Sequence, residues 1–142
     1  MTNSTVCADA SLLLKLAVEE AGSQRAAQEW TSWVANGVTV TAPSLVWYEL
    51  TSILVKRWRR GDLTADEADG ALETLLLLRL DIVSGSELHR AAHDLAIQLG
   101  HSAAYDAHYL AVALAATCPL WTADRGMFTA AKQAGIETHL IS

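Results

Sequence analysis

The chain lacks any apolar run approaching the roughly 18 residues that a bilayer crossing needs. Although 51% of its 142 residues are hydrophobic, polar and charged positions break them up every few residues, which excludes a membrane-spanning helix. Cysteine is scarce: Cys7 falls in a predicted strand and Cys118 just before another, too few for a disulfide framework and suited to two core thiols. Basic residues are outnumbered, ten Lys and Arg against sixteen Asp and Glu for a net charge of −6. That balance excludes a protein that grips nucleic acid by overall charge. There is no internal repeat, low-complexity linker or glycine-rich phosphate loop, so a doubly wound nucleotide-binding enzyme is disfavoured. The beginning, Met1 to Ser4, is polar, and Asp9 and Lys15 interrupt the apolar segment after it, which argues against a secretory signal and for the cytoplasm, with no membrane partner.

What is present alternates. Thr5 to Ala8 is β-prone, and Asp9-Ala10-Ser11 leads into a helix of Leu12 to Glu20 stopped by Gly22. Ser23 caps a second helix to Val34, and Val38 to Ala42 alternates as a strand. Pro43 suits the first turn of a helix from Ser44 to Gly61. Thr64 and Glu67 form a capping-box pattern that opens a helix to Leu78, followed by a strand over Leu80 to Val83. Gly85 or Ser86 caps a helix of Glu87 to Leu99, and Ser102 caps an alanine-rich one of Ala103 to Ala116. Pro119 to Thr122 is a strand, Arg125 to Ala134 a helix and Thr138 to Ile141 a last strand. Strands separated by helices imply one domain over 1–142 of α/β class, with a mainly parallel sheet between helical layers.

Four carboxylates, Asp9, Glu49, Asp106 and Asp124, fall where strands end or early helix turns begin. In an open parallel sheet those places share one crevice, so acids distant in sequence converge there. Converging acids repel one another unless a hard divalent cation neutralises them, and such cations serve phosphodiester chemistry. Each acid also has a plainer explanation. Asp9 and Asp124 can cap the helices that follow, and Asp106 complements a helix macrodipole. Glu49 is harder to explain away, because it lies on the apolar stripe of Val46, Leu50 and Ile53. A carboxylate there needs a metal or a structural salt bridge, for which Lys15 is one partner.

His89, His93 and His101 carry no HExxH pattern and no recognisable third ligand, so they read as surface or structural histidines rather than zinc ligands. No Ser, His and Asp order shows a nucleophile elbow. Of the five tryptophans, Trp30, Trp33, Trp58 and Trp121 read as core, whereas Trp47 suits a partner interface. Lys56 and Arg60 lie seven and eleven residues beyond Glu49, near whole helical turns, and can share its face. They would guide a phosphate backbone, receive an acidic partner segment, or simply solvate a helix end.

The segments Val6-Cys7-Ala8-Asp9-Ala10-Ser11, Pro43 to Leu50, Tyr105 to Ala111 and Thr122-Ala123-Asp124-Arg125 resemble, in order and spacing, the PIN-domain family, and more narrowly the VapC toxins of bacterial toxin–antitoxin pairs. The resemblance spans essentially the whole chain. It implies a three-layer α/β/α sandwich around a parallel sheet of about five strands in the order 3-2-1-4-5. It also implies a metal-dependent endoribonuclease that forms a homodimer and is inhibited by a VapB-type antitoxin. Carried over position by position, Asp9, Glu49, Asp106 and Asp124 become the catalytic, metal-binding acids for one or two Mg²⁺ or Mn²⁺ ions, with Ser11 and Thr122 as polar support. The stretch from Trp47 to Arg60 is where partner and RNA choice would reside. A rival expectation is a PIN-like interaction module that acts mainly through its antitoxin and operator DNA.

Overall fold

The computed structural model describes residues 4–142, so most of the polar start, Met1 to Asn3, lies outside it. Among the described residues five strands form one all-parallel sheet: β1 (Thr5–Ala8), β2 (Thr39–Pro43), β3 (Asp81–Val83), β4 (Leu120–Thr122) and β5 (Thr138–Leu140). Between them run α1 (Ala10–Leu14), α2 (Ser23–Ala35), α3 (Leu45–Arg59), α4 (Ala65–Leu76), α5 (Ser86–Leu99), α6 (Tyr105–Ala116) and α7 (Arg125–Gln133). The order is β3-β2-β1-β4-β5, as expected, within an α/β/α sandwich. No helix among the described residues is long and apolar enough to cross a membrane.

Burial on both faces explains the central strand, since Val6, Cys7 and Ala8 are all enclosed and offer no polar side chain to satisfy. Helix α6 lies across β1 and β2 with α5 against it. Its Ala107, Tyr109, Leu110, Ala111, Val112 and Ala113 are buried on almost every side, and the alanines let backbones approach closely. Cys7 and Cys118 are free, buried thiols, as the composition implied.

The chain leaves β1, builds outward through β2 and β3, then returns to add β4 on the other side of β1. The reversal places the ends of β1 and β4 side by side, with Ala8 opposite Trp121 and the Asp9 N–H donating to the Trp121 carbonyl at 3.2 Å. A crevice at such a reversal is where α/β sheets carry ligands.

Several boundaries differ from the pattern-based expectations. Helix α1 ends at Leu14 rather than Glu20, and the next turns tighten into i−3 bonds such as Leu16 N–H to Leu13 O at 3.0 Å. Side chains compete for the backbone there: Lys15 Nζ donates to the Ala21 carbonyl at 2.6 Å, and Ser23 Oγ donates to Val18 O at 3.0 Å while accepting from Glu20 N–H at 2.9 Å. Gly22 then caps α2 at φ +86°, a left-handed conformation that suits glycine. Pro43 closes β2 instead of opening α3, and Ser44 supplies the next N–H to Val83 O at 2.9 Å. Helix α6 starts at Tyr105 without a side-chain cap from Ser102. Trp58 is 47% exposed rather than core, whereas Trp30, Trp33 and Trp121 pack edge to edge.

Candidate acidic active site

The capping explanation of Asp9 is physically true and incomplete. Asp9 caps α1, its Oδ1 accepting from Leu12 N–H at 3.1 Å, but the carboxylate is only 4% exposed and held by two further hydroxyls. Ser11 Oγ donates to Oδ1 at 2.7 Å, and Thr122 Oγ1, from the end of β4, donates to Oδ2 at 2.5 Å. Those hydroxyls also tie in the next turn: Ser11 accepts from Ala123 N–H at 2.9 Å and Thr122 from Asp124 N–H at 3.0 Å. Ser11 and Thr122 thus form a hydrogen-bonded lattice joining α1 to the β4–α7 turn. A simple cap needs none of it.

Asp124 caps α7 through Oδ2, which accepts from Met127 N–H at 2.8 Å, and the residue stays exposed. A Cβ at Gly126 would stand 3.2 Å from that oxygen, so glycine leaves the carboxylate room. Asp106 occupies the first turn of α6 and lines a cleft of about 350 Å³ together with His101, Tyr105 and Gly126. Glu49 is half-buried on α3. Its Oε1 accepts a hydrogen bond from the buried Tyr109 hydroxyl at 2.5 Å. Tyr109, not Lys15, is the partner its position demanded. Sequence reading missed it, although a tyrosine inside the otherwise alanine- and leucine-rich α6 was the available signal.

Electrostatics link the four acids. Burial pushes Asp9 up to about 6, against the pull of its three hydrogen bonds, and the charge of Asp124 adds to the rise. Asp106 is raised by burial and then by the same Asp124, and Glu49 by burial and, beyond the opposing Tyr109 bond, by Asp106. Four elements thus deliver carboxylates that act on one another in series, Asp124 on Asp9 and Asp106, and Asp106 on Glu49. The donors are hard, charged oxygens, the type that suits Mg²⁺ or Mn²⁺. Among the described residues no three His, Cys, Asp or Glu side chains stand close enough to hold an ion between them. The donor chemistry, charged carboxylate oxygens, fits a divalent cation.

A second cleft, of about 370 Å³, opens from this site. Ser11, Ala123 and Asp124 line one part of it, and Lys15, Glu20, Lys56, Arg57 and Arg60 line the rest. Lys56 and Arg60 therefore neighbour the acids through Asp124 and Ser11. Trp47 is half-buried and packs against the core. His108 Nδ1 bonds the Ala104 carbonyl at 2.6 Å, which leaves Nε2 to pair with His89 Nδ1 at 2.9 Å, and its charge opposes the rise of Glu49, while His101 does the same for Asp106 and His93 faces Asp94.

The chain belongs to the PIN domain family, whose profile matches residues 6–133. Solved structures of similar fold include PAE2754 from Pyrobaculum aerophilum, 23% identical, covering 95% of this chain and 89% of that one with a TM-score of 0.68. VapBC2 from Rickettsia felis, bound to a DNA fragment from their promoter, is 14% identical over 97% of this chain and 99% of that one, TM-score 0.72. Mycobacterium tuberculosis VapC20, a sarcin-ricin loop cleaving toxin, is 17% identical over 92% and 95%, TM-score 0.69. At these identities the likeness speaks to the fold. No curated protein matches the chain by sequence.

Proposed function

We propose that this chain is the toxin of a type II toxin–antitoxin pair, a VapC-type endoribonuclease that depends on a divalent metal, with residues 1–142 acting as a single PIN domain in the cytoplasm. One observation carries the reading: carboxylates from four separate elements act on one another, Asp9 and Asp106 raised by burial and by Asp124, and Glu49 by burial and by Asp106. Such a site costs the fold stability, and a cation relieves that cost. Membership of the PIN domain family and the likeness to an RNA-cleaving VapC toxin support the choice of RNA.

Asp9 and Asp106 would hold Mg²⁺ or Mn²⁺ directly, one ion or two, with Glu49 and Asp124 contributing directly or through water. When bound, the metal would supply positive charge and Lewis acidity at a phosphodiester. The chain's own residues prepare that place. Ser11, Thr122 and the Leu12 N–H fix both oxygens of Asp9. Tyr109 fixes the rotamer of Glu49, and the α7 N-terminus fixes Asp124. Lys56 and Arg60 would draw the RNA backbone toward the acids, and Trp47 would support a partner surface on α3. A VapB-type antitoxin would silence the enzyme, as the VapBC complexes of similar fold suggest, and a homodimer would be the working form.

The test is cleavage of total cellular RNA by the antitoxin-free protein and by Asp9→Asn, with Mg²⁺, Mn²⁺ or chelator, followed by mapping of new 5′ ends. Discrete cuts that need metal and vanish in the variant are expected. Metal-independent cuts, or cuts unchanged in Asp9→Asn, would overturn the reading. Metal binding without any cleavage would favour the interaction module.

A further inference from the structure

The cations beside the acids are engaged to different degrees. Lys15 Nζ is enclosed, its side chain 11% exposed, and donates to both Glu20 Oε2 at 2.9 Å and the Ala21 carbonyl at 2.6 Å. It has little left to offer a ligand. Arg60 pairs with Asp62 at 2.9 Å on the surface. Arg57 differs from both. Its Nη1 donates to Glu20 Oε1 at 2.5 Å, its side chain is 25% exposed, and no other hydrogen bond engages its guanidinium among the described residues. A guanidinium carries five donors in a planar fork, so one arm is anchored and the rest is presented.

Glu20 is the anchor. Burial pushes its carboxyl up, yet the hydrogen bonds and charges of Lys15 and Arg57 outweigh that and hold it low. A carboxylate gripped from two sides, by Lys15 and, 37 residues away, by Arg57, is a brace, and it holds Arg57 on the wall of a cleft that also contains Asp124 and Ser11. Lys56, exposed on the same cleft wall, makes no ion pair among the described residues and adds a second free charge.

We propose that Arg57, aimed by the Glu20–Lys15 brace and assisted by Lys56, forms a phosphate subsite that binds the RNA backbone beside the acidic centre. This rests on the reading of the chain as a ribonuclease. The site takes a backbone phosphodiester, and its planar, partly enclosed donors match two phosphate oxygens at once. Contact with phosphate alone carries no base preference, so the subsite sets register along the strand and leaves sequence choice to other surfaces.

The experiment measures binding of a fluorescent single-stranded RNA in chelator, using Asp9→Asn as the common background so that cleavage cannot intrude. Arg57→Ala is expected to weaken binding about tenfold near 0.1 M salt and to lower the slope of log affinity against log salt by about 0.7, the value of one lost phosphate contact on a single strand. Arg57→Lys keeps the charge and most of the slope but loses affinity, because an ammonium cannot reproduce the fork. Glu20→Gln separates aiming from bulk charge: it removes a negative charge, which by attraction alone would tighten RNA binding, yet loosening the brace weakens it. Affinity and slope unchanged in a folded Arg57→Ala, or tighter binding in Glu20→Gln, would overturn the proposal. A background protein that binds no RNA, joined to a wild type that cuts none, would instead strike the ribonuclease reading itself.

Discussion

Replacing Asp9 by Asn should make the metal-free protein more stable while abolishing its activity. The carboxyl, raised by burial from the usual 3.8 to about 6, keeps its proton in the folded chain over a range where the unfolded chain has lost it. The folded state therefore binds more protons between those values, and unfolding free energy falls as pH rises through the window. At about 1.4 kcal/mol per pH unit, the gap amounts to roughly 3 kcal/mol, present in full below pH 3.8 and lost by about pH 7. Asn does not titrate. Whatever it costs to rearrange the Thr122 contact is the same at every pH, so the stability difference between variant and wild type should grow by roughly 3 kcal/mol between pH 3.5 and 7 in chelator. Urea denaturation across that range measures it. Mg²⁺ or Mn²⁺ at saturation should then stabilise the wild type and leave the variant unmoved. Parallel pH profiles for the two proteins would refute the account of Asp9 as a buried acid whose burial outweighs its hydrogen bonds.

Other expectations follow from the same contacts. Thr122→Val removes a hydrogen bond that favours the charged form of Asp9, so the acid limb of the activity profile should move to higher pH, read by initial cleavage rates from pH 5 to 8. Tyr109→Phe frees the Glu49 carboxylate from its hydroxyl partner. It should lower the cleavage rate constant at saturating RNA more than it changes KM, with Tm little altered, because ring burial is conserved. Leu50→Ala, at a site with no exposure on α3, should cost about 2–5 kcal/mol by urea denaturation.

Local chemistry made much of the chain readable before any tertiary contact was known. The capping box of Thr64 and Glu67 forms as expected, with bonds of 2.8 and 3.0 Å across three residues, because both partners lie within one helical turn. The acids at strand ends were legible for the same reason: the end of a short buried strand and the start of a helix are adjacent in sequence. The strand order came from the family resemblance, since alternation alone leaves it open. Helix α1 was overextended because Lys15 and Ser23 take backbone partners that a periodicity count cannot see.

The sequence by itself determined which residues are candidates: four acids at places a parallel sheet can bring together, and a basic run at the end of α3, the helix that also carries Glu49. Only the tertiary structure decided how they are used. The register that sets Ala8 against Trp121 turned Asp9 and Thr122 into one hydrogen-bonded unit from residues 113 apart. Packing of α6 across β1 and β2 brought Tyr109 to Glu49 from 60 residues away, and folding of the segment after α1 placed Glu20 on Arg57. Patterns of helix and strand report what a residue does to its own backbone. Charge, burial and partner are properties of the space around a side chain, and that space exists only once the sheet is assembled.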